Sequence, residues 1–504
     1  MSRTPRPTPR RRHRGGHEVH EAVTRPQLPL SRRGQNAALA VLCLAELIVV
    51  LDNTIINIAL PTLGREFGSS VTGLQWIVDA YTLTFAGFLL AAGKLGDKYG
   101  RQAVLCIGMV GFGVVSILAA GAPSENWLVM WRAVMGIFAA AVFPATLALI
   151  SAIFPDPDRR QFAIGAWAAV AGVGIAAGPV VSGWLLAHFS WPAVFWVNVP
   201  VVVVGTIGAW LWVPESKSEV DERLDYVGAA LSITGITIIV WSIIEAPRRG
   251  WLSAPTAATF FGGAAVLAAF VAWQHRGAFP LLDLGLFRIR TFAVPTYAIA
   301  TAYFALFGFA FIFTMFFQSI LGYDTLQTGV RMIPYAISIA IFAPLGIVAT
   351  KYIGIGPSVS VGLLAMCGVF AIASTCDAHT SYPVVIVPMM ALMGLGLAFV
   401  QSAATSSIMD SLRPDEAGAG AGVNDTSREV GGALGVAVLG SVLASYHATP
   451  LQPDTFVHAT GVASWVAVGV TATGAVVVAA LMPRRIRPIP RTDAEDNVLT
   501  TDKS

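Results

Sequence analysis

Four ionisable residues sit in stretches otherwise suited to lipid: Glu46 and Asp52 in and just before LDNTIINIALP (51–61), Asp79 in WIVDAYTL (76–83), and Arg132 in WRAVMG (131–136). A charge at bilayer depth costs a few kcal/mol even on lenient insertion scales, so such groups are normally enclosed in a bundle and functional. Carboxylates near a guanidinium suit one chemistry in particular. A neighbouring cation and burial act on proton affinity in opposite senses, so an acid whose surroundings change with conformation can carry a proton. Each acid also has a plainer reading, a salt bridge or hydrogen bond that only holds helices together. No catalytic constellation, metal-ligand cluster or nucleotide loop accompanies them, so no catalytic residue, metal or cofactor is expected. The energy source would be the proton gradient, worth roughly 3.5 kcal/mol per charge at about 150 mV.

The elements that must hold these groups follow from composition. The chain has 504 residues, 55% hydrophobic and 12% charged, against about 25% charged in an average soluble protein. Apolar runs of some 20 residues tile it, which predicts a polytopic membrane protein. Fourteen helices are expected, the first four at 38–60, 73–93, 103–121 and 127–150. At 1.5 Å per residue, Asp52 lies roughly 12 Å below the outer end of its helix, and Asp79 and Arg132 each about 8 Å below theirs. Glu46, six residues before Asp52, lies on another face; it would line the inner cavity or contact a neighbour.

Charge distribution orients the bundle. Tails and alternate loops assigned inside hold 26 Lys and Arg, the loops assigned outside hold Arg65, Arg248 and Arg249, and Arg132, Arg331 and Arg428 lie within helices. By the positive-inside rule both termini are cytoplasmic. The expected division is a disordered basic cytoplasmic tail at 1–36, a six-helix bundle at 37–213, a charged cytoplasmic linker at 214–225, two inserted helices at 226–275, a second six-helix bundle at 276–482, and a cytoplasmic tail at 483–504. GKLGDKY (93–99) is echoed by GIVATKY (346–352) at the corresponding place of the second bundle, and repeated halves are how many secondary transporters are built. The arginine-rich tail is explained by topology and anionic lipid, so no nucleic-acid partner is expected.

Several motifs then point one way. GKLGDKYGR (93–101) combines turn-permitting glycines with an acid among cations, and it resembles the loop signature of the major facilitator superfamily, with Lys98 and Gln102 as departures. AGVGIAAGPVVSG (171–183) resembles the antiporter signature of that superfamily's exporters, with Ser182 in place of a glycine. WRAVMG resembles its proton-transfer signature, LDNTIINIALP that of the fourteen-span drug:proton antiporters, and WIVDAYTL the version in quaternary-ammonium exporters. WVNVP (196–200), LDYVGAAL (224–231), FFQSILGYDTLQTGVRMIP (316–334) and NDTSREVGGALG (424–435) match in the same order.

The resemblance implies an all-α integral membrane protein with the major facilitator fold, two six-helix bundles plus two central helices. It implies proton-coupled export of amphipathic, cationic drugs by alternating access in the cell membrane, acting as a monomer. By match, Asp52, Asp79 and Arg132 would serve proton coupling and substrate; Gly93, Asp97, Gly100 and Arg101 an inner gate; and Gly174, Gly178, Pro179 and Gly183 the antiporter motif. Glu46, Trp76, Tyr81 and Gln318 are candidates for the cavity wall, as are Phe143 and Phe311. The alternatives are a dedicated exporter of one antibiotic or other natural product and, remotely, a membrane enzyme or receptor.

Overall fold

The structure, a computed structural model, describes residues 30–217, 225–277, 281–412, 417–446 and 453–482. The basic tail up to residue 29, the tail from 483 and linker positions 218–224 lie outside the described residues.

Among the described residues fourteen helices are long and apolar enough to cross a bilayer, the number predicted: α1 (Arg32–Phe67), α2 (Val71–Tyr99), α3 (Arg101–Ala120), α4 (Glu125–Ile153), α5 (Asp158–His188), α6 (Ala193–Trp212), α7 (Tyr226–Arg249), α8 (Ala254–Arg276), α9 (Arg290–Ser319), α10 (Thr325–Ile353), α11 (Ile355–Ala373), α12 (Tyr382–Asp410), α13 (Gly420–Ser445) and α14 (Pro453–Leu481). Their even number puts the start of α1 and the end of α14 at one end of the bundle, here the terminal end; the other is the distal end.

Helix ends depart from the sequence estimate for local reasons. The first helix, expected at 38–60, has 36 residues, about 54 Å at 1.5 Å per residue against a hydrocarbon core of roughly 30 Å. The Ser31 hydroxyl caps its start by accepting from Gly34 N–H, and Gly68 ends it at φ +65°. The stretch 94–101, expected as a loop, is mostly helix, because Gly93 and Gly96 stay inside α2 and keep their backbone hydrogen bonds. The turn is compressed into Gly100, whose φ of +116° few other residues would tolerate. The second half turns in the same way at Gly354, φ +89°, between α10 and α11.

The packing pattern repeats with an offset of eight helices. α1 packs on α4, α5 and α6, α2 on α4, and α3 on α4 and α6; α9 packs on α12, α13 and α14, α10 on α12, and α11 on α12 and α14. The halves are joined chiefly by α2 with α13 and α5 with α10, pairs that the offset converts into each other, and α1 also touches α9 and α10. Gly431 and Gly435 of the GGALG run lie against the Ala300 and Phe304 carbonyls of α9, so the run serves close helix packing. The hairpin α7–α8 rests on α2 and α13, beside one joint.

That hairpin is pinned where the linker meets it. Asp225 caps α7 by accepting from Gly228 N–H at 2.8 Å, and also accepts from Trp273 Nε1 at 2.8 Å and Gln274 Nε2 at 2.7 Å of α8. Burial works to raise the Asp225 carboxyl, but hydrogen bonds from Gly228, Trp273, Gln274 and Leu281 outweigh it and hold it below the ordinary aspartate range. A depressed pKa stabilises the fold above the unfolded value of about 3.9, and that contribution is lost as pH falls through the folded value. Asp225→Ala should therefore speed amide exchange in the first turn of α7 about fivefold near neutral pH, the equivalent of a cap worth ~1 kcal/mol. Hydrogen–deuterium exchange should show the two proteins converging below about pH 4.

Candidate functional site

Asp52 is brought to the centre of the first six helices. It is 2% exposed; its Oδ2 pairs with Arg132 Nη1 of α4 at 2.5 Å, and its Oδ1 accepts from Asn198 Nδ2 of α6 at 2.9 Å. Asn198 also donates to Ser116 Oγ of α3 at 3.3 Å, and Arg132 Nε donates to the Ile77 carbonyl of α2 at 3.2 Å. One carboxylate thus gathers α1, α2, α3, α4 and α6. Asn198 lies in the WVNVP motif, but an amide in an apolar helix gives no hint from sequence of which acid it serves.

Asp79 stands apart from this pair. The expectation that Arg132 lies close to both carboxylates fails: Arg132 reaches the backbone of Ile77 rather than Asp79, whose two oxygens are fully buried without a hydrogen-bond partner. One α-helical residue advances 100°, so two residues on from Ile77 the Asp79 side chain points away from it. Tyr81 takes the place beside the ion pair, its ring 4.2 Å from the Arg132 guanidinium carbon. It is fully buried, so it walls the ion pair rather than an open cavity.

A second charged cluster, of which the sequence names Glu46 alone as a candidate residue, lies where the halves meet. In α13, Arg428 Nη1 contacts Asp425 Oδ1 at 3.3 Å, Asn424 donates to the same oxygen at 3.2 Å, and Glu429 follows. The Arg428 guanidinium carbon lies 4.7 Å from the Tyr303 ring of α9, and Tyr303 donates to Gln401 Oε1 of α12 at 3.2 Å. Glu46, from α1 in the other half, is within electrostatic reach of Asp425, Arg428 and Glu429, and neither of its buried oxygens has a partner. The signal for this cluster was three charges within five residues of a helix, in NDTSREVGG.

The glycines of the antiporter-type motif divide between two neighbours. Gly174 lies against Leu47 and Val50 of α1, and Gly178 against Thr54, whose hydroxyl donates back to the Val50 and Leu51 carbonyls at 3.0 Å. The Pro179 carbonyl then meets Gly329 of α10, and Gly183 meets Thr325 and Leu326. The Thr325 hydroxyl donates to the Gly183 carbonyl at 3.2 Å, and Ser182, the departure from the motif, donates to the Ile55 carbonyl at 2.8 Å. α5 meets α10 chiefly through residues 325–331. Two glutamines add to this distal contact. Gln318 Nε2 of α9 donates to the Ile58 carbonyl of α1 at 3.0 Å, and Gln75 Nε2 donates to the Ala437 and Val436 carbonyls of α13 at 2.9 and 3.1 Å.

Gln318 is therefore a tie between halves. Trp76, expected on a cavity wall, packs on the apolar cluster of Leu83, Val240, Ile244, Ala433 and Ala437, between α2, α7 and α13. Phe311 is core, and Phe143 packs edge-on against Phe85 and Trp167. At the terminal end Asp97 accepts from Arg101 Nε at 2.8 Å, one turn apart, while Glu215 accepts from Gln102 and Ala103 N–H, each at 3.1 Å, capping α3. The first residues of the linker thus close over Gly100. Gly93 and Gly96 face Pro144 and Arg101 within ordinary contact. Among the described residues no group of three or more His, Cys, Asp or Glu is placed to hold a metal ion.

The sequence profile described as Major Facilitator Superfamily matches residues 42–436. "Multidrug efflux pump LfrA" of Mycolicibacterium smegmatis is 37% identical over 410 residues, covering 81% of each chain. "Puromycin resistance protein pur8" of Streptomyces alboniger is 34% identical over 467 residues, covering 90% of this chain and 92% of that one. Among solved structures, a bacterial homolog of the human lysosomal transporter Spinster, in an inward-facing and unoccupied conformation, superposes with a TM-score of 0.64 at 16% identity, over 91% of this chain and 100% of that one. That likeness is one of fold.

The buried ion pair makes a stability prediction. Asp52→Ala strands the Arg132 guanidinium and should cost about 3–5 kcal/mol, whereas Asp52→Leu combined with Arg132→Met should recover more than half of the loss. Unfolding of the purified protein in detergent, completed as a double-mutant cycle, measures both.

Proposed function

Because the chain belongs to the major facilitator superfamily, a family of transporters, we propose that it is a proton-coupled antiporter, and not an enzyme, that exports amphipathic, cationic compounds by alternating access. The observation that carries this reading is the combination of buried carboxyls with a seam closed at one end. Asp52 and Asp79 lie below the distal contact between α5 and α10, and both need a partner or a proton to be tolerated there. Asp52 has Arg132 and Asn198; Asp79 has none, which fits a group that carries a proton in this state.

The two six-helix halves are the moving units, with α7–α8 seated beside one joint. The distal contact is made of backbone against glycine, a surface that separates without stripping charges. Opening it while the terminal end closes would expose Asp52 and Asp79 to the other side. The pairing of Asp97 with Arg101, and the docking of Glu215 over the same turn, place ionic contacts at the terminal end that can be remade on closure. With the basic residues at that end, the termini are cytoplasmic and the distal end faces outward, in the cell membrane, with the monomer as the working unit.

The relatives named for multidrug efflux and for puromycin resistance support drug export. The puromycin-resistance relative, matched over nine-tenths of both chains, also supports a second reading, export of one antibiotic or other natural product. Side-by-side efflux of dyes and of a candidate metabolite separates the two.

The test is reconstitution in liposomes with an imposed pH gradient, following ethidium and a neutral drug. Asp52→Asn should reduce gradient-driven movement of both at least tenfold, and Asp79→Asn that of ethidium alone. Coupling unchanged in both variants would refute proton carriage by these acids.

A further inference from the structure

The charge balance at the seam is uneven. Three carboxyls, Glu46, Asp425 and Glu429, surround one guanidinium, Arg428. Asp425 takes the guanidinium contact and an amide hydrogen bond. Both oxygens of Glu46, at 0% exposure, and Oε2 of Glu429, at 8%, have no partner, and neither do the hydroxyl of Tyr335 and Nε of Arg428. A buried carboxylate without a partner is costly unless a proton or another cation neutralises it. The cluster therefore holds two carboxyls beyond the one its guanidinium pairs, acceptor capacity that the cluster's own cation leaves unfilled.

We propose that Glu46 of α1 and Glu429 of α13 form a loading site for the positive group of an organic cation, exchanged there for protons. This rests on the exporter reading and locates its substrate. Three features favour an organic cation over a metal ion. Aromatic side chains surround the cluster: Tyr303 already stacks on Arg428, Tyr335 lies near both, and Tyr81 sits within electrostatic reach of Glu46 and Glu429. Rings of this kind stabilise delocalised or alkylated cations. The cluster is reachable, with 22% of the Arg428 side chain and 17% of Asp425 exposed. And the two unpartnered acids come from opposite halves, so an occupant bridges them only while the halves stand in this relation, which ties loading to conformation.

Depth supports a loading role. Gly440 of α13 lies against Gln75 of α2 at the distal end; from that level Glu429 is eleven residues, about 16 Å, toward the terminal end and Asp79 four residues, about 6 Å, while Glu46 precedes Asp52 by six residues, about 9 Å, in the same direction. A cation arriving from the terminal end meets the seam acids before Asp79 and Asp52. The remaining charged groups facing the seam acids, Asp425, Arg428, Asp52 and Arg132 through Tyr81, are already paired with one another.

Binding of labelled tetraphenylphosphonium to the purified full-length protein tests this, because that cation does not titrate and any pH dependence belongs to the protein. Affinity should rise with pH, and each of Glu46→Gln and Glu429→Gln should weaken binding at least tenfold and flatten that dependence. Glu46→Asp should retain most of it. Glu46→Gln should also leave the melting temperature unchanged or higher, since an unpaired buried carboxylate is removed; a glutamate that only braces Arg428 would lower it. Unaltered affinity in both Gln variants, or no binding to the wild type, overturns the loading site. The exporter reading fails separately, if wild-type liposomes move neither the phosphonium nor a neutral drug under a pH gradient.

Discussion

The ion pair between Asp52 and Arg132 is the constraint around which the first six helices are arranged. Two charges taken from water into a low-dielectric interior are tolerated only with close geometry and further hydrogen bonds. Asn198, the Ile77 carbonyl and the Tyr81 ring supply that surround. Each comes from a helix whose position is thereby specified. Asp52 therefore has two parts to play: it organises the bundle in this state, and it is the acid whose partners must change if the bundle is to carry a proton.

The seam between halves is built on the opposite principle. Its distal contact is made of glycines, carbonyls and two glutamines, with Gly183 against Thr325 and Leu326, Gly329 under the Pro179 carbonyl, and Gln75 and Gln318 spanning to backbone. Close backbone approach gives dispersion contact without buried charge, so such a joint can part at modest cost. The ionic groups at the seam are placed nearer the middle of the helices, where Glu46 of one half faces Arg428 and Glu429 of the other. Under the proposed antiport, the glycine contact is the joint that would open, and the charge cluster lies where that opening would be felt.

Much of this was legible in the residues. Fourteen helices follow from apolar runs of bilayer length, and the lopsided placement of Lys and Arg predicts their sense. The Gly/Pro spacing in α5 announces close packing, and charges within apolar runs announce functional groups. Helix ends were harder, because the stretch from Gly93 to Gly100 contains turn residues and yet stays helical to Tyr99; a satisfied helical backbone outweighs the freedom of Gly93 and Gly96. Along the chain Trp76, Tyr81 and Gln318 all read as cavity-wall candidates, because an aromatic or amide on a helix does not declare its neighbour. The structure sends them to three different places.

By itself the sequence determined what is local or periodic: the number of spans, their amphipathic and small-residue faces, and which side chains are too costly to bury without reason. Only the tertiary structure decided who partners whom. Arg132 is some eighty residues from Asp52 and fifty from Asp79, and nothing along the chain ranks the two acids; the direction in which each helix face points does. Likewise Glu46 and Glu429 are separated by most of the protein, and their shared excess of negative charge exists only because the fold sets Glu46 of α1 within electrostatic reach of Glu429 of α13.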